Sequence, residues 1–270
     1  MSIDPRAIVD PSARLGEGVE IGPWTVVGPD VEIGDRCVIA SHVVLKGPTR
    51  LGPENQILQF ATVGESTPAL AWQGQHTTLE VGARNVFREG VTIHRGMLEG
   101  ASTRIGNDNL FMAYVHVGHD CEIGDHVIMA NNASVSGHVT VGDYANFGGY
   151  SGVAQHRSVG AYTHIAAMSL VLKDVPAFVT VGGHPARAIG LNAEGMRRRQ
   201  LTPEVTRNIR HAWKQLYRRG LSVEDALGSL REQAAECAYT KVFVDSVRSS
   251  DWGIARPRGR IADDSSPEAS

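Results

Sequence analysis

Residues 105–172 read IGNDNL-FMAYVH-VGHDCE-IGDHVI-MANNAS-VSGHVT-VGDYAN-FGGYSG-VAQHRS-VGAYTH-IAAMSL-VL, with a large apolar residue at the start of every hexad. An amphipathic helix needs apolar positions three and four apart, and a half-buried strand needs alternation at two, so a strict period of six fits neither. Six residues make one short strand and its turn, and three hexads close a triangular coil that buries its apolar residues only by stacking on the next coil. The segment therefore predicts a mainly β fold, a parallel β-helix of hexapeptide repeats.

The same frame runs through the earlier part of the chain, from Ile3 to Val63, and restarts at Val81. Two irregular segments, at about residues 69–80 and 97–104, interrupt the frame and are predicted to be loops. Neighbouring coils pair through their backbones at a spacing of about 4.8 Å, so residues three hexads apart lie above one another where no loop intervenes. We expect the β-helix to occupy residues 1–190.

Helix signals replace the hexads in the C-terminal part of the chain. Thr202 is a suitable N-cap, a proline follows it at the first helical position, and an apolar stripe continues from there. A second helix is predicted to begin at Ser222 and a third to cover residues 241–247, within a C-terminal helical domain of residues 191–254. Residues 255–270 are rich in Arg, Gly, Pro, Asp and Ser, which predicts a disordered tail.

Composition and charge exclude several classes of partner. A formal net charge of -3 gives no general attraction to nucleic acid or to anionic lipid. No stretch approaches the roughly 18 apolar residues of a membrane span, and the N-terminus lacks the apolar segment of a secretory signal. The 3 cysteines are widely spaced and odd in number, which indicates neither a disulfide framework nor a CxxC metal site. We expect a cytoplasmic protein without nucleic-acid partners and without integral membrane association.

Histidine is the residue type that points to chemistry, because 11 are present and several fall in or beside the middle repeats, at His94, His116, His119 and His138. By the stacking rule, His119 shares a column with Gly137 and Gln155, and Asp120 shares the neighbouring column with His138 and His156. An imidazole with a pKa near neutrality is suited to take a proton from a hydroxyl that attacks an acyl carbon. A glycine N–H one coil above can face the developing oxyanion.

A zinc site is the alternative interpretation, with His94, His116, His119 and His138 as candidate ligands. Because His116 and His119 are three residues apart across a corner, we expect them to point in different directions. We therefore favour acyl transfer by an imidazole base, with no metal.

Four motifs occur in order: VTIHRG at residues 91–96, HVGHDCEIG at 116–124, ANNASVSGHV at 130–139 and LNAEGMRRR at 191–199. With them the chain resembles the UDP-N-acetylglucosamine O-acyltransferases that begin lipid A biosynthesis, and the likeness extends from Ile3 to about Ile254. The resemblance implies a left-handed parallel β-helix and a homotrimer with active sites between subunits. It also implies transfer of a 3-hydroxyacyl group from acyl carrier protein to the 3-hydroxyl of UDP-N-acetylglucosamine, with neither a metal nor an organic cofactor.

The resemblance assigns roles at matching positions. His119 is the general base, Asp120 is its supporting carboxylate, and the Gly137 N–H is the oxyanion donor. The residues that contact substrates are His94, His116, His138, Gln155, Asn192, Glu194, Arg198 and Arg199, and the last four of these hold uridine and phosphate. Ala166 and Ala167 occupy the floor of the acyl groove, where glycine occurs in members that take longer chains, so we expect a shorter acyl chain.

The helical region adds an argument from charge. Residues 191–231 contain nine Lys or Arg residues (197, 198, 199, 207, 210, 214, 218, 219 and 231) and four acids (194, 204, 224 and 225), a surplus of 9 − 4 = 5 positive charges. Because the whole chain is negative, this is a local basic patch, and it suits phosphates and an acidic carrier protein.

The sequence departs from the family at three positions. Ala69 and Ala71 stand in the first loop, where the family has an Asp and a Lys, and Ala154 stands where it has a His before Gln155. Each lost polar group costs about 1 to 3 kcal/mol of binding, which places the acceptor sugar in doubt more than the reaction type. Two further interpretations therefore stay open: N-acylation of an amino-sugar nucleotide, and a non-catalytic trimeric paralogue.

Overall fold

The computed structural model describes residues 2–257 of the chain. Its strands, numbered in chain order, are β1 (Ser2–Ile3), β2 (Ile8–Val9), β3 (Arg14–Leu15), β4 (Glu20–Ile21), β5 (Val26–Val27), β6 (Val31–Ile33), β7 (Val38–Ile39), β8 (Val44–Leu45), β9 (Thr49–Leu51), β10 (Gln56–Ile57), β11 (Thr62–Glu65), β12 (Thr78–Val81), β13 (Val86–Phe87), β14 (Thr92–His94), β15 (Ser102–Ile105), β16 (Leu110–Phe111), β17 (His116–Val117), β18 (Glu122–Ile123), β19 (Ile128–Met129), β20 (Ser134–Val135), β21 (Thr140–Val141), β22 (Asn146–Phe147), β23 (Gly152–Val153), β24 (Ser158–Val159), β25 (His164–Ile165), β26 (Leu170–Val171), β27 (Val179–Gly183) and β28 (Ala186–Leu191). The helices are α1 (Ala193–Arg198), α2 (Pro203–Arg218), α3 (Val223–Ser229), α4 (Arg231–Glu236) and α5 (Ala238–Arg248).

The strands form three sheets that are the faces of a triangular prism. Sheet A runs from β1 through every third strand to β25 and ends with β27 and β28, sheet B runs from β2 to β26, and sheet C runs from β3 to β24. Pairing between coils is parallel, and residues such as Ile21 and Ile39 lie opposite each other one coil apart. Successive hexads therefore pass from sheet A to B to C and back, and the predicted fold class, a left-handed parallel β-helix, is confirmed.

Three edges separate the faces, and we name each by the sheets that it joins: edge AB, edge BC and edge CA. The turns at these edges hold a residue with a left-handed backbone, for example Asp120, His138 and His156 on edge BC, with φ of 58°, 59° and 60°. Because the turn recurs at the same place in each coil, the side chains at these positions form columns along the edge. On edge CA the rings of Tyr144 and Tyr162 stack with centroids 4.8 Å apart.

The core is the interior of the prism. Ile39, Leu45 and Leu51 point inward from sheets A, B and C, and at most 2% of their surface is exposed. Phe87 and Phe111 stack inside the prism with centroids 5.2 Å apart and planes 3° from parallel. Each such side chain contributes about 1.5 to 3 kcal/mol on burial, so the repeated hexad positions account for the stability of the stack.

A column of buried asparagines runs inside edge CA. Asn85 donates from its side-chain amide to Asn55 Oδ1 (3.0 Å) and to the Gly106 carbonyl (2.9 Å), and its own Oδ1 accepts from the Asn109 N–H (3.0 Å). Buried polar groups of this kind are tolerated only when their hydrogen bonds are made. The column therefore ties three successive coils together at positions where the repeat has no apolar residue.

The outer face of sheet C carries a ladder of alternating charge. The residues that follow one another in register are Arg14, Glu32, Arg50, Glu80, Arg104 and Glu122. Ion pairs join Glu32 to Arg14 and to Arg50, and join Arg104 to Glu80 and to Glu122. Exposed pairs contribute only about 0.2 to 1 kcal/mol each, so this ladder contributes little to stability but leaves a strongly hydrated face.

Both predicted loops leave the repeat at edge BC. The first connects β11 to β12 and the second connects β14 to β15. The predicted bounds extended too far, because residues 78–80 belong to β12 and residues 102–104 to β15, which pair with each other from Thr78 and Ser102 onward. Sequence periodicity marks only the inward residues, whereas the backbone pairing lengthens both strands beyond them.

The C-terminal region closes the top of the prism. Strands β27 and β28 form an antiparallel hairpin at the end of sheet A, and the helices follow it. Thr202 and Ser222 cap α2 and α3 as predicted, and the predicted third helix lies within α5. The short helices α1 and α4 were not predicted. None of the helices in this part of the chain combines the length and the apolar character that crossing a membrane requires.

The prediction of disorder from residue 255 was wrong at its start. Ala255 is 3% exposed, its N–H donates to the Asp174 carbonyl (2.8 Å), and its carbonyl accepts from the Tyr217 hydroxyl (3.0 Å). The composition of the segment gives no sign of these contacts with residues distant in sequence. The remainder of the predicted tail, residues 258–270, lies outside the described residues.

Candidate active site

His119 and Asp120 lie on edge BC, in the turn between β17 and β18. The imidazole Nδ1 lies 2.7 Å from Asp120 Oδ2, and the two side chains are 16% and 11% exposed. The carboxylate also accepts from the Met97 N–H at 3.1 and 3.3 Å, and the Asp120 N–H donates to Thr103 Oγ1 at 2.8 Å. These contacts hold Asp120 as an acceptor, which fixes the proton of the neutral His119 ring on Nδ1 and leaves the lone pair of Nε2 free.

Gly137 lies one coil above His119, as the stacking rule predicts. A Cβ built on Gly137 would lie 2.5 Å from both Cε1 and Nε2 of the His119 ring, so the absence of a side chain is what admits the imidazole. The Gly137 N–H donates to no acceptor within residues 2–257, although the residue is buried. Within the same residues the equivalent turn positions Asn131, Gly149 and Gln155 also lack an acceptor, so what distinguishes Gly137 is that its backbone lies against the His119 ring.

His138 and His156 continue the site along edge BC. The His119 and His138 rings meet edge to face with centroids 5.0 Å apart, and His138 and His156 stack at 4.4 Å. Burial lowers the pKa of His138 below its ordinary value. Gln155 and His156 are exposed at the turn above, and Ala154 is half-buried beside them. His156 therefore presents an imidazole next to Gln155 and two residues after Ala154.

His94 and His116 form a second pair at the end of sheet B next to this edge. Their rings meet edge to face at 4.8 Å, and His116 Nδ1 lies 2.8 Å from Thr92 Oγ1. Burial lowers the pKa of His94 to about 4, with a smaller contribution from His116 nearby, and burial also lowers the pKa of His116. Both rings are therefore neutral near pH 7 and suit hydrogen bonding to a polar ligand rather than charge pairing.

The proposed zinc set is only partly gathered. Among the described residues, ligand atoms of His119, Asp120 and His138 lie within 4.8 Å of one another, and neither His94 nor His116 joins this group. A catalytic zinc needs three protein ligands, so this trio is the set that a metal would use. In the structure Asp120 Oδ2 and His119 Nδ1 are already hydrogen-bonded to each other.

The residues assigned to the nucleotide lie elsewhere, along edge CA. Asn192, Glu194, Arg198 and Arg199 line a cavity of about 380 Å³ on the outer face of sheet A. The Asn192 amide donates to the Tyr162 carbonyl (2.9 Å) and its oxygen accepts from the Gly195 N–H (2.9 Å). These two bonds fix the start of α1 on the prism and set the positions of the charged residues that follow.

Charges in this cavity are partly paired. Glu194 accepts hydrogen bonds from Arg197 and from Arg198, which lower its pKa to about 2. The Arg199 guanidinium lies 4.6 Å from the centroid of the Tyr144 ring, a cation–π contact that holds it over the cavity. The arginines thus outnumber the single acid, and the resulting net positive charge of the cavity suits a phosphate.

Ala166 and Ala167 lie on edge AB, in the turn after β25. Ala166 is half-buried, its Cβ 3.2 Å from the position of a Cβ on Gly182, and Ala167 is exposed. The predicted base, the predicted nucleotide residues and the predicted acyl-length residues therefore lie on three different edges of the prism, BC, CA and AB. Within a single chain the residues around His119 form one group and those around Asn192 form another. The two groups lie on different edges and do not meet.

Ala69 and Ala71, the departures in the first loop, also lie at edge BC. The Ala69 carbonyl accepts from the Trp72 N–H (2.9 Å), and Ala71 is exposed. Sequence reasoning missed three groups that contact the predicted residues, on Met97, Thr103 and Thr92, and one that lines the nucleotide cavity, on Asn146. Met97 lies in the second loop and Thr103 lies in β15 directly after it, and this loop changes the spacing on which the stacking rule depends.

Stacked hexads that carry a histidine at a prism edge define a class, the hexapeptide-repeat transferases. Residues 3–47 and 102–137 match the family described as bacterial transferase hexapeptide (six repeats), and residues 174–255 match the second domain of UDP-N-acetylglucosamine O-acyltransferase.

Comparison with individual proteins defines the family. The chain is 50% identical over 255 residues to the acyl-(acyl-carrier-protein)–UDP-N-acetylglucosamine O-acyltransferase of Saccharophagus degradans, and 54% identical over 256 residues to that of Pseudomonas putida strain GB-1; each match covers 94% of this chain and 99% of the relative. The crystal structure of UDP-N-acetylglucosamine O-acyltransferase from Moraxella catarrhalis superposes with a TM-score of 0.92 at 40% identity, covering 95% of this chain and all of that one. The chain belongs to the UDP-N-acetylglucosamine O-acyltransferase family, as its motifs predicted.

Proposed function

We propose that this protein transfers a 3-hydroxyacyl group from acyl carrier protein to the 3-hydroxyl of UDP-N-acetylglucosamine, the first step of lipid A biosynthesis. The observation that carries the proposal is the His119 ring, held by Asp120 on one side and packed against the Gly137 backbone on the other. The names of the relatives at 50 to 54% identity supply the substrates.

His119 acts as the general base. Its Nδ1–H donates to Asp120, so Nε2 is free to accept the proton of the sugar 3-hydroxyl as that oxygen attacks the thioester carbonyl. Asp120 is a positioning residue that stabilises the imidazolium while the proton resides there, and its own position depends on the Met97 N–H.

The Gly137 N–H stabilises the oxyanion of the tetrahedral intermediate. It is buried, it is free of other acceptors within the described residues, and it lies beside the base. One such donor contributes about 2.7 to 4 kcal/mol of transition-state stabilisation. Collapse of the intermediate breaks the carbon–sulfur bond, and the departing thiolate takes the proton from the His119 imidazolium. The products are the sugar ester and the free thiol of the carrier.

The remaining residues bind. His94, His116, His138 and Gln155 line the acceptor and the acyl thioester near the base, and the neutral imidazoles of His94 and His116 suit a sugar hydroxyl. Asn192, Glu194, Arg198 and Arg199 hold uridine and its phosphates in the cavity on sheet A. Ala166 and Ala167 limit the acyl groove, which favours a shorter chain.

A homotrimer supplies the complete site. The base on edge BC and the nucleotide cavity on edge CA lie at opposite margins of sheet C in one chain, which favours a site shared between chains. Packing of chains side by side sets edge BC of one subunit against the cavity of another. The basic surplus of residues 191–231 then serves the acidic carrier protein, and the reaction takes place in the cytoplasm.

One assay separates the open interpretations. Purified protein is incubated with 3-hydroxyacyl carrier protein and either UDP-N-acetylglucosamine or its 3-amino analogue, and the product is identified by mass spectrometry. An alkali-labile ester with the first acceptor supports the proposal, whereas an amide formed only with the second assigns N-acylation. Binding of UDP-N-acetylglucosamine by calorimetry without either product would assign a non-catalytic paralogue. Stoichiometric zinc in elemental analysis, with loss of activity on chelation, would contradict the metal-free mechanism.

A further inference from the structure

Asn146 and His164 form a polar pair on the outer face of sheet A that the roles above leave unassigned. They lie in register on the neighbouring strands β22 and β25, and His164 Nδ1 lies 2.9 Å from Asn146 Oδ1. Both side chains are half-buried, and both line the cavity of about 380 Å³ that also holds Arg198 and Arg199.

The pair interrupts an apolar strip. The outward positions of sheet A in the three coils below are Val86, Leu110 and Ile128, all half-buried. Above this strip, in the wall of the cavity, the outward residues become polar at Asn146 and His164. A half-buried polar pair has a desolvation cost that an apolar pair would avoid, so its place in the cavity wall indicates contact with a polar part of the ligand.

The hydrogen bond between the two side chains fixes what they offer. Asn146 Oδ1 accepts from the His164 Nδ1–H, so Nε2 carries the lone pair of a neutral imidazole. Burial lowers the pKa of His164 below its ordinary value, which keeps the ring neutral near pH 7. Within residues 2–257, neither His164 Nε2 nor Asn146 Nδ2 has another hydrogen-bond partner. The cavity therefore presents one acceptor and one donor side by side.

We propose that Asn146 and His164 select the uracil base of the nucleotide sugar by hydrogen bonding to its imide edge. The inference rests on the proposed function, which puts the nucleotide in this cavity. Uracil offers an N3–H donor next to the O4 carbonyl acceptor, which is the complement of His164 Nε2 and Asn146 Nδ2. Cytosine has a lone pair at N3 and an amino group beside it, so both contacts are reversed, and the half-buried acceptor and donor are left unpaired.

The arginines of the same cavity complete the recognition. Arg199, held over the Tyr144 ring, and Arg198 provide positive charge for a diphosphate, which every nucleoside diphosphate carries. Affinity from the arginines is thus independent of the base, whereas the polar pair distinguishes one pyrimidine from the other. Selectivity between UDP and CDP isolates the contribution of Asn146 and His164.

The test is isothermal calorimetry of the full-length protein with UDP and with CDP. We expect UDP to bind at least about tenfold more tightly than CDP, since one mismatched hydrogen bond in a desolvated site changes affinity by this order. His164→Leu removes the acceptor, so UDP binding weakens about tenfold and the ratio of the two dissociation constants falls toward one. Asn146→Leu removes the donor and lowers the same ratio. Leu110→Val, on the same face two coils below Asn146 and outside the cavity lining, is the matched control and leaves the ratio unchanged.

The outcomes separate this inference from the proposed function. If the wild-type protein binds UDP and acylates UDP-N-acetylglucosamine, but both leucine variants keep the wild-type ratio of UDP to CDP affinity, the inference is wrong and the proposed function stands. If the wild-type protein neither binds UDP nor forms product, both fail together. Thermal melting and the oligomeric state of each variant are measured alongside. Should one leucine variant fail to fold, the other still decides the ratio.

Discussion

Replacing Gly137 with alanine tests the geometry of the base most directly. The new Cβ would lie 2.5 Å from Cε1 and Nε2 of His119 and 3.0 Å from Nδ1. To reach an ordinary contact of 3.4 Å with the new Cβ, the His119 ring must move by about 0.9 Å. This movement displaces Nε2 or lengthens the 2.7 Å hydrogen bond between Nδ1 and Asp120. A misplacement of about 1 Å in a reacting group costs about a hundredfold in rate. We therefore expect kcat to fall about 100-fold, equivalent to about 2.7 kcal/mol in the barrier.

Stability should not fall in parallel. The Gly137 backbone is not in the left-handed region, so alanine adopts it without strain, and a less flexible unfolded chain offsets part of the steric cost. The assay is kcat with acyl carrier protein thioester, together with the melting temperature. Gly152→Ala is the matched control, because its Cβ meets Ser134 Oγ at 3.6 Å and Leu170 Cδ1 at 3.8 Å, both ordinary contacts. Full activity of Gly137→Ala, or equal losses in both variants, would refute the reasoning.

Three further predictions concern the base, pH and the interior. His119→Ala is expected to lower kcat by about 10² to 10⁴-fold with an unchanged melting temperature, and an unfolded variant would instead identify a structural histidine. Folding lowers the pKa values of His94, His116 and His138, so the unfolded chain takes up protons before the folded protein does as the pH falls from about 6.5 toward 4. Urea unfolding should therefore show a smaller free energy of unfolding at pH 5 than at pH 7. A larger free energy of unfolding at pH 5 would contradict the lowered pKa values. Asn85→Ala leaves the Gly106 carbonyl and the Asn109 N–H without their partner, whereas Asn55 Oδ1 still accepts from the backbone N–H of residue 85. The free energy of unfolding should fall by at least about 2 kcal/mol in the same assay, so a change below about 0.5 kcal/mol would show that the asparagine column contributes nothing.

The fold was predictable because the inward-facing apolar residues alone define the repeat. Stacking demands the same apolar position in every coil, and the sequence keeps that position from Ile105 to Val171 without a slip. The loop bounds and the tail were less predictable for a common reason. The start of β12 at Thr78 depends on pairing with a strand 24 residues later, and the order at Ala255 depends on contacts with Asp174 and Tyr217.

The candidate site was predictable where spacing is regular. The stacking rule alone brings His119 against Gly137, and the rule could also have found Asn146 and His164, which are 18 residues apart. It fails for Met97, 23 residues before Asp120, because the loop at that edge changes the number of residues in the coil. The residues near Asn192 follow no repeat, and only the resemblance to a family pointed to them.

The charge ladder on sheet C has a consequence for how this fold can shorten or lengthen in evolution. Deleting the coil of Glu32 would set Arg14 beneath Arg50, and two attractive neighbours would become one repulsive pair. Deleting two successive coils instead sets Arg14 beneath Glu80 and restores attraction. Each ion pair contributes only about 0.2 to 1 kcal/mol, yet every pair of neighbours in the charge ladder up to Glu122 is attractive. Contractions by an even number of turns of the spiral are therefore favoured over odd ones.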